Sequence, residues 1–194
     1  MKLKKSPPSI LSNDCWGAFT YHSLGLEFTS PLINLTIYDE DYIKFLKNPQ
    51  HYMNQELRLI EMRYSERDQS DFPLVGCDDI KLWCWHYNSF DKFIESWNRR
   101  KERIDWDNLF VKMHTESREI AEEFVKLPYS KKVCFVPFQT DEEDLVYTEF
   151  IEKTSMEERP FYNITNRMAI GIYPYYDVLD LLEYGKITKT AKIK

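Results

Sequence analysis

The sequence predicts an α/β protein with a three-layer, mostly parallel, Rossmann-like open sheet of five or more strands and helices on both faces. Short apolar runs alternate along the chain with segments whose apolar residues recur at helical spacing. The stretch 9–25 also has the pattern of a strand, a polar turn and a helix that ends at a glycine. That pattern is typical of the first strand-turn-helix unit of an open sheet. Right-handed crossovers between parallel strands would then carry the helices to both faces.

Five apolar runs are the predicted strands, and helices are predicted between them. After the strand that opens 9–25, the strands are Pro31–Tyr38, Asp79–Tyr87, Leu109–His114 and Lys132–Phe138. The helices follow the opening turn, Asp39-Glu40-Asp41, Asn48, Asn88 or Ser89, and Thr115 or Ser117, which are residue types favoured at helix starts. The helix after Asn48 is expected to run from Pro49 to about Met62, and the charged stretch from Tyr64 to Gly76 to be a surface loop.

The C-terminal part of the chain has a weaker pattern. The run from Leu145 to Lys153 fits either a helix or an extra strand, 159–164 is expected to be extended, and 168–172 to be an edge strand. A last helix opens at Tyr173-Pro174 and ends at Gly185. We therefore expect residues 1–194 to form a single α/β domain, with its core strands and helices in residues 9–140 and a C-terminal part in 141–194.

Composition excludes several classes of protein. Hydrophobic residues make up 43% of the chain, enough for a packed core, and the net charge of −6 argues against a general nucleic-acid binder. The sequence has no apolar run of about 18 residues and no hydrophobic signal core after its first lysines, so we expect a cytoplasmic protein without a membrane span. The four cysteines form no C-x-x-C pair and are expected to be reduced. The oligomeric state is not indicated.

In an open α/β sheet, ligands bind beyond the carboxyl ends of the strands. The polar residues at the predicted strand ends are therefore the candidate site. The candidate catalytic residues are Cys15, His86 and His114, and the candidate substrate-binding residues are Asn13, Asp14, Trp16, Tyr87, Asn88, Thr115 and Gln139.

Cys15 has two interpretations. If Asp14 caps the first helix, Cys15 lies in its first turn, where the positive end of the helix dipole favours a thiolate, and His86 or His114 could act as its base. The alternative is a small buried thiol packed beside Trp16, and no His-Asp spacing in the sequence supports a catalytic triad.

The sequence identifies no cofactor. Asp39-Glu40-Asp41 has the D-x-D form that holds a divalent metal in many nucleotide-sugar transferases, but acidic residues are favoured in the first turn of a helix without any metal. The cysteine and histidine spacings fit no zinc site, and the chain has neither a Walker sequence nor a G-x-G-x-x-G motif. A nucleotide sugar bound as a substrate remains compatible with this pattern.

The sequence resembles a bacterial family labelled exopolysaccharide or capsular polysaccharide biosynthesis protein and catalogued as a domain of unknown function. The resemblance covers most of residues 9–140. It is carried by the segments 10–17, 30–31, 41–46, 86–90 and 108–111, together with Trp97, Arg100 and Arg103-Ile104 of one predicted helix. It implies an α/β fold and a link to cell-surface polysaccharide, and it supplies no catalytic residues.

Three functions follow as expectations. The first is a glycosyltransferase-like transferase of polysaccharide biosynthesis that takes a sugar or nucleotide-sugar substrate at the strand ends. The second is an acyltransferase or hydrolase that depends on Cys15. The third is a non-catalytic binding or scaffold protein of the same pathway, which would use the basic helix end 99–103 or the acidic run 141–144.

Overall fold

The computed structural model describes residues 6–147 and 177–187, which form a mixed α/β fold. In chain order the elements are β1 (Ser9–Ser12), α1 (Trp16–Ser23), α2 (Asp39–Lys47), α3 (Pro49–Met53), β2 (Leu57–Ser65), β3 (Ser70–Cys77), β4 (Ile80–Trp83), α4 (Phe90–Lys101), β5 (Leu109–His114), α5 (Arg118–Val125), β6 (Lys132–Val136), β7 (Leu145–Tyr147) and α6 (Val178–Tyr184).

The larger sheet contains four parallel strands in the order β1-β5-β6-β7. The strands β1, β5 and β6 are short and almost entirely buried, as expected for parallel strands covered on both faces. Ile10 and Phe110 pack into a cluster with residues of α1 and α6, whereas Leu11 and Val111 pack with residues of α2, α4 and α5. Neighbouring residues of one strand therefore face two different cores, and helices cover both faces of this sheet.

A second sheet is antiparallel, with the order β2-β3-β4, and its presence corrects two predictions. The predicted helix from Pro49 to Met62 ends at Met53, and residues from Leu57 onward form β2. The stretch from Tyr64 to Gly76, predicted to be a loop, is instead the end of β2, a tight turn and most of β3. The prediction was wrong because β2 is mostly exposed, so its mixture of charged and apolar residues lacks the buried alternation that marks a strand.

Two predicted strands also differ from the structure. The run Pro31–Tyr38 contributes one isolated bridge, between Thr36 and Trp83, and Asn34 within it has a φ of 63° that interrupts an extended chain. The predicted third strand shortens to β4 and belongs to the antiparallel sheet. The expectation of one mostly parallel sheet of five or more strands is therefore wrong in the described part of the chain, whereas the α/β class is confirmed.

Three of the predicted helix caps are observed, whereas Asp39, Glu40 and Asp41 do not cap α2 but form its first turn after Tyr38. The Ser89 and Ser117 side chains accept hydrogen bonds from the Lys92 and Ile120 amides at the starts of α4 and α5. Asn48 accepts from the His51 amide at the start of the shortened α3. These caps satisfy amides that have no partner within the helix.

The C-terminal predictions are resolved in part. Leu145–Tyr147 is a strand, and α6 ends at Gly185, whose φ is 70°. The predicted start of this helix at Tyr173-Pro174 is wrong, because α6 begins at Val178 and the side chain of the extended residue Asp177 accepts hydrogen bonds from the Leu179 and Asp180 amides. The predicted extended segment 159–164, the predicted edge strand 168–172 and the end of the tail lie outside the described residues. No helix among the described residues is long and apolar enough to cross a membrane.

Candidate functional site

The carboxyl end of β1 is joined to the end of β5 by the side chain of Asn13. The Asn13 amide nitrogen donates to the His114 carbonyl oxygen at 3.1 Å, and the His114 backbone N–H donates to Asn13 Oδ1 at 3.2 Å. This reciprocal pair continues the pairing of the two strands, in which Ser12 lies opposite Lys112. It brings the residues after β1 against the last residues of β5.

Asp14 follows directly and is fully buried. Its Oδ1 accepts hydrogen bonds from the Ser12 hydroxyl at 2.8 Å and from the Trp16 backbone N–H at 2.9 Å. Asp14 therefore satisfies an N-terminal amide of α1, as predicted, but the helix begins at Trp16. Cys15 occupies the N-cap position immediately before the helix, rather than its first turn, and its side chain is 6% exposed.

The second carboxylate oxygen of Asp14 binds two side chains of β5. Asp14 Oδ2 lies 2.6 Å from Lys112 Nζ and 2.8 Å from His114 Nδ1. Lys112 is fully buried, whereas the His114 side chain is 17% exposed. Lys112 and His114 are two residues apart on one strand, so their side chains project from the same face of the sheet.

The charges of this cluster oppose the effect of burial. Burial alone would raise the pKa of Asp14, but Lys112 and His114 hold it well below its ordinary value. Burial lowers the pKa of Lys112, and the Asp14 carboxylate opposes that change. We call Asp14, Lys112 and His114 the buried triad.

The arrangement fixes the orientation of the His114 ring. Because Nδ1 faces Asp14, Nε2 is on the opposite side of the ring, and His114 is the one member of the buried triad with an exposed surface. The Asp14 carboxylate favours the imidazole tautomer with its proton on Nδ1, whereas the Lys112 ammonium, with Nζ 3.4 Å from the same nitrogen, opposes it. Chemically, the buried triad can present a general base to a bound molecule.

A second contact lies beside the buried triad. Thr115 follows β5, and its hydroxyl donates to Asp39 Oδ2 in the first turn of α2. Burial raises the pKa of Asp39 and the nearby Glu116 adds to this effect, whereas the Thr115 hydrogen bond and His114 oppose it. The ends of β1 and β5 and the start of α2 therefore meet at one place.

The two carboxylates of the D-x-D motif have different partners. Asp39 binds Thr115, whereas Asp41 accepts a hydrogen bond from the Lys81 backbone N–H at 2.9 Å. Within residues 6–147 and 177–187, no group of three or more histidine, cysteine, aspartate and glutamate side chains is arranged to hold a metal ion. The motif lies in the first turn of α2, where its acidic side chains interact favourably with the positive end of the helix dipole.

The other predicted site residues are found elsewhere. His86 and Asn88 line a separate cavity of about 350 Å³ between the antiparallel sheet and the start of α4. Tyr87 also lines it, but the Tyr87 hydroxyl donates to the Ile33 carbonyl at 3.1 Å and accepts from Arg100 at 2.6 Å, so it joins parts of the fold. Gln139 is exposed beyond β6.

Trp16 is completely buried, and its ring stacks on Phe110 with a centroid distance of 5.8 Å. It therefore packs in the core beneath the strand ends, where a ligand cannot stack on it. Of the ten predicted site residues, the contacts join Asn13, Asp14, His114 and Thr115, with Cys15 next to Asp14 in the chain.

Sequence reasoning missed Lys112 and the pairing of Asp14 with His114. The signal for Lys112 was present, because a lysine in the middle of the apolar run Leu109–His114 must be buried with a partner. The partner could not be named from the sequence, since about a hundred residues separate Asp14 from β5. For Asp39, the sequence favoured a role at the start of a helix over metal binding, and its hydrogen bond with Thr115 was not predicted.

The charged runs that could serve a scaffold have partners within the chain. In the basic helix end, Arg100 is buried against Tyr87, and Arg103 binds Glu27 at 2.7 Å. In the acidic run, Asp144 lies 3.2 Å from Lys132. Intramolecular pairing therefore accounts for part of each run.

Comparison with known proteins identifies the family. The chain is 31% identical over 138 residues to an uncharacterized protein of Haemophilus influenzae, a match that covers 69% of this chain and 64% of that protein. The chain thus spans less than two thirds of that relative. A family model described as a domain of unknown function, DUF1919, matches residues 1–184. The chain therefore belongs to the DUF1919 family, whose function is not known.

Proposed function

We propose that the protein is a transferase in which His114 acts as the general base toward a hydroxyl group of the acceptor. The observation that carries the proposal is the 2.8 Å contact between His114 Nδ1 and the buried Asp14 carboxylate. Such a contact matters for catalysis because a positioned base contributes about 10²- to 10⁴-fold to the rate of proton transfer. His114 has the exposed surface that a reacting base needs, and Asp14 does not.

In the proposed step, His114 Nε2 takes the proton of the acceptor hydroxyl while the oxygen bonds to the electrophilic carbon of the donor. The bond between that carbon and the leaving group breaks, and the leaving group departs with the electron pair. The imidazolium that forms is stabilised by Asp14 through Nδ1. Lys112 keeps Asp14 ionised, because its ammonium group lies 2.6 Å from the carboxylate.

The resemblance to polysaccharide biosynthesis proteins supports an activated sugar, such as a nucleotide sugar, as donor and a sugar hydroxyl as acceptor. The protein would then be a glycosyltransferase-like enzyme of exopolysaccharide or capsular polysaccharide biosynthesis. Its leaving group would be a nucleoside phosphate or diphosphate.

The test has a binding part and a chemical part. Thermal-shift measurements with a panel of nucleotide sugars, with and without Mn²⁺, identify the donor by the rise in melting temperature. With the stabilising donor, nucleotide release is then measured for the wild type and for His114→Gln. We expect the variant to bind the donor but to lose about 10²- to 10⁴-fold in turnover.

His51 supplies a matched control. It also contacts an aspartate, with Nε2 at 2.7 Å from Asp78 Oδ2, but both side chains are over 40% exposed. His51→Gln should therefore keep the wild-type turnover. If no nucleotide sugar stabilises the protein, the donor class is wrong. If His114→Gln turns over as fast as His51→Gln, the general-base role is wrong.

A second candidate is a Cys15-dependent acyltransferase or hydrolase. Cys15 directly follows Asp14, precedes α1 and lies within electrostatic range of Lys112. The Cys15 thiol would pass its proton to His114 and attack an acyl carbon, and the leaving group would depart with that proton from His114. An acceptor hydroxyl or water would then take the acyl group from the sulfur. Cys15→Ala separates the two functions, because it abolishes this activity and spares the general-base transferase. Mass spectrometry after limiting iodoacetamide gives the direct test, since an unreactive Cys15 at pH 7 excludes the nucleophile.

A further inference from the structure

The strand β2 forms an edge of the antiparallel sheet. In the described part of the chain it pairs only with β3, and seven of its nine residues are exposed. Four of the eight exposed large hydrophobic side chains in that part of the chain belong to β2: Leu59 at 43%, Ile60 at 49%, Met62 at 42% and Tyr64 at 61% exposed. The exposed apolar surface is thus concentrated on one strand.

Soluble proteins usually protect such an edge with lysine, proline, a short strand or a bulge. β2 contains neither lysine nor proline, and at nine residues it is a long strand. It has one irregularity, where the pairing with β3 shifts between Leu59 and Glu61. The half of the strand beyond this bulge, from Glu61 to Ser65, pairs regularly with β3 and offers backbone groups on its other edge.

The charge pattern of β2 is complementary to itself. In an antiparallel pair of two copies with a two-fold axis at Met62, each Glu61 lies opposite Arg63 of the other copy. Axes at Glu61 or at Arg63 would instead place like charges opposite each other, which is unfavourable. Within one chain, Glu61 and Arg63 already lie 2.8 Å apart on the same side of the strand. Pairing about Met62 would therefore create a square of four alternating charges.

We propose that β2 is a dimerisation edge, on which a second copy of this chain pairs antiparallel with its own β2 about a two-fold axis at Met62. The pairing joins two three-stranded sheets into one six-stranded sheet and covers the exposed apolar side chains next to the axis. It is an isologous interface, in which the same patch serves both copies. The occupant is a second copy because one chain supplies both members of each charge pair.

Sedimentation equilibrium of the full chain tests the proposal with three variants. The wild type is expected to show a monomer-dimer equilibrium. Glu61→Arg places like charges opposite each other and should weaken dimerisation at least roughly tenfold. The double variant Glu61→Arg/Arg63→Glu exchanges the charges and should restore it. Glu95→Arg, at an exposed position of α4, makes the same charge change away from β2 and should dimerise like the wild type.

Circular dichroism of each variant establishes that the fold is intact, and hydrogen exchange adds an independent measurement. In the dimer, the outward amides of residues 61–65 should be protected, and dilution to the monomer should release them. A wild type that stays monomeric up to roughly 0.5 mM overturns the proposal. So does a Glu61→Arg variant that dimerises like the wild type, or a monomer in which the outward amides of residues 61–65 are protected, since another part of the chain would then cover the edge.

Discussion

The buried triad makes a quantitative prediction about stability. Asp14→Asn removes the negative charge and changes little else, because the Asn oxygen can still accept from the Ser12 hydroxyl and the Trp16 amide, as Oδ1 does now. The second oxygen, however, becomes an NH₂ group that faces the Lys112 ammonium. A cation that is completely buried then has no anion, where it now has one at 2.6 Å.

The size of the effect follows from the burial. Both side chains are 0% exposed, and removing one member of a buried ion pair costs about 3–5 kcal/mol. For a chain of this length, about 1 kcal/mol corresponds to roughly 2–4 °C, so the melting temperature should fall by about 6–20 °C. Replacing both residues, as Asp14→Asn/Lys112→Met, removes the uncompensated charge, and we expect that variant to unfold within about 2 kcal/mol of the wild type.

Urea unfolding followed by tryptophan fluorescence measures the free energies of unfolding of the wild type, Asp14→Asn, Lys112→Met and the double variant, which together form a double-mutant cycle. The exposed pair between Lys47 and Glu123, with a similar distance of 2.8 Å, is the control, and Lys47→Met should leave the midpoint nearly unchanged. The reasoning is refuted if Asp14→Asn costs less than about 1 kcal/mol. It is also refuted if the double variant loses the sum of the two single losses.

The Asp14–Lys112 pair also predicts how the free energy of unfolding changes at acidic pH. Because the pKa of Asp14 is below its ordinary value of 3.8 in the folded state, its contribution to stability is complete above that value and is lost as the pH falls below it. The wild-type free energy of unfolding should therefore decline below about pH 4, and Asp14→Asn should decline less steeply. Parallel acid limbs for the two proteins would contradict the assignment.

Three further predictions concern single sites. Burial raises the pKa of Asp39 above its ordinary value of 3.8, so the contribution of Asp39 to the free energy of unfolding declines as the pH rises from that value. The Asp39→Asn variant does not have this decline, and its urea midpoint relative to the wild type should therefore increase from pH 4 to pH 7. A difference in midpoint that is the same at both pH values would contradict this. At Gly185 the φ is 70°, and the Cβ of a Gly185→Ala variant would lie 2.8 Å from the Lys131 Cα. This variant should therefore lower the free energy of unfolding by about 1–3 kcal/mol. An unchanged urea midpoint would show that the end of α6 does not need glycine. Burial raises the pKa of Cys77 to about 12, so at pH 7 mass spectrometry should find it alkylated by iodoacetamide far more slowly in the native protein than in urea; equal rates would contradict the burial.

Local signals were sufficient for part of the fold. The β1-turn-α1 unit, the strands β5 and β6, and the serine caps of α4 and α5 were predictable because each depends on neighbouring residues. Apolar runs mark buried strands, and Ser89 or Ser117 satisfies amides within the next three residues. Asn13, Asp14 and His114, which the sequence predicts as site residues, are in contact at the ends of β1 and β5, and Thr115 directly follows His114. That they form a functional site stays a prediction.

The hairpin of β2 and β3 was not predictable in the same way. Its edge strand carries charged and apolar residues in a nearly all-exposed strand, and such a pattern fits a surface helix or a loop equally well. The pairing with β3 is what makes it a strand, and pairing is a property of two segments together. The error then spread to the sheet order, because β4 pairs with β3 and so is not part of the parallel sheet.

The sequence by itself thus determined the α/β class, the starts of α3, α4 and α5 and the region in which to search for a site. Tertiary structure decided which strands form which sheet, and that Asp14, Lys112 and His114 make one buried triad while His86 lines another cavity. The physical reason is that the polarity of each residue and the spacing of apolar residues can be determined from a short stretch of the sequence. The identity of a contact partner about a hundred residues away depends on how distant segments pack together, and a short stretch of sequence does not contain that information.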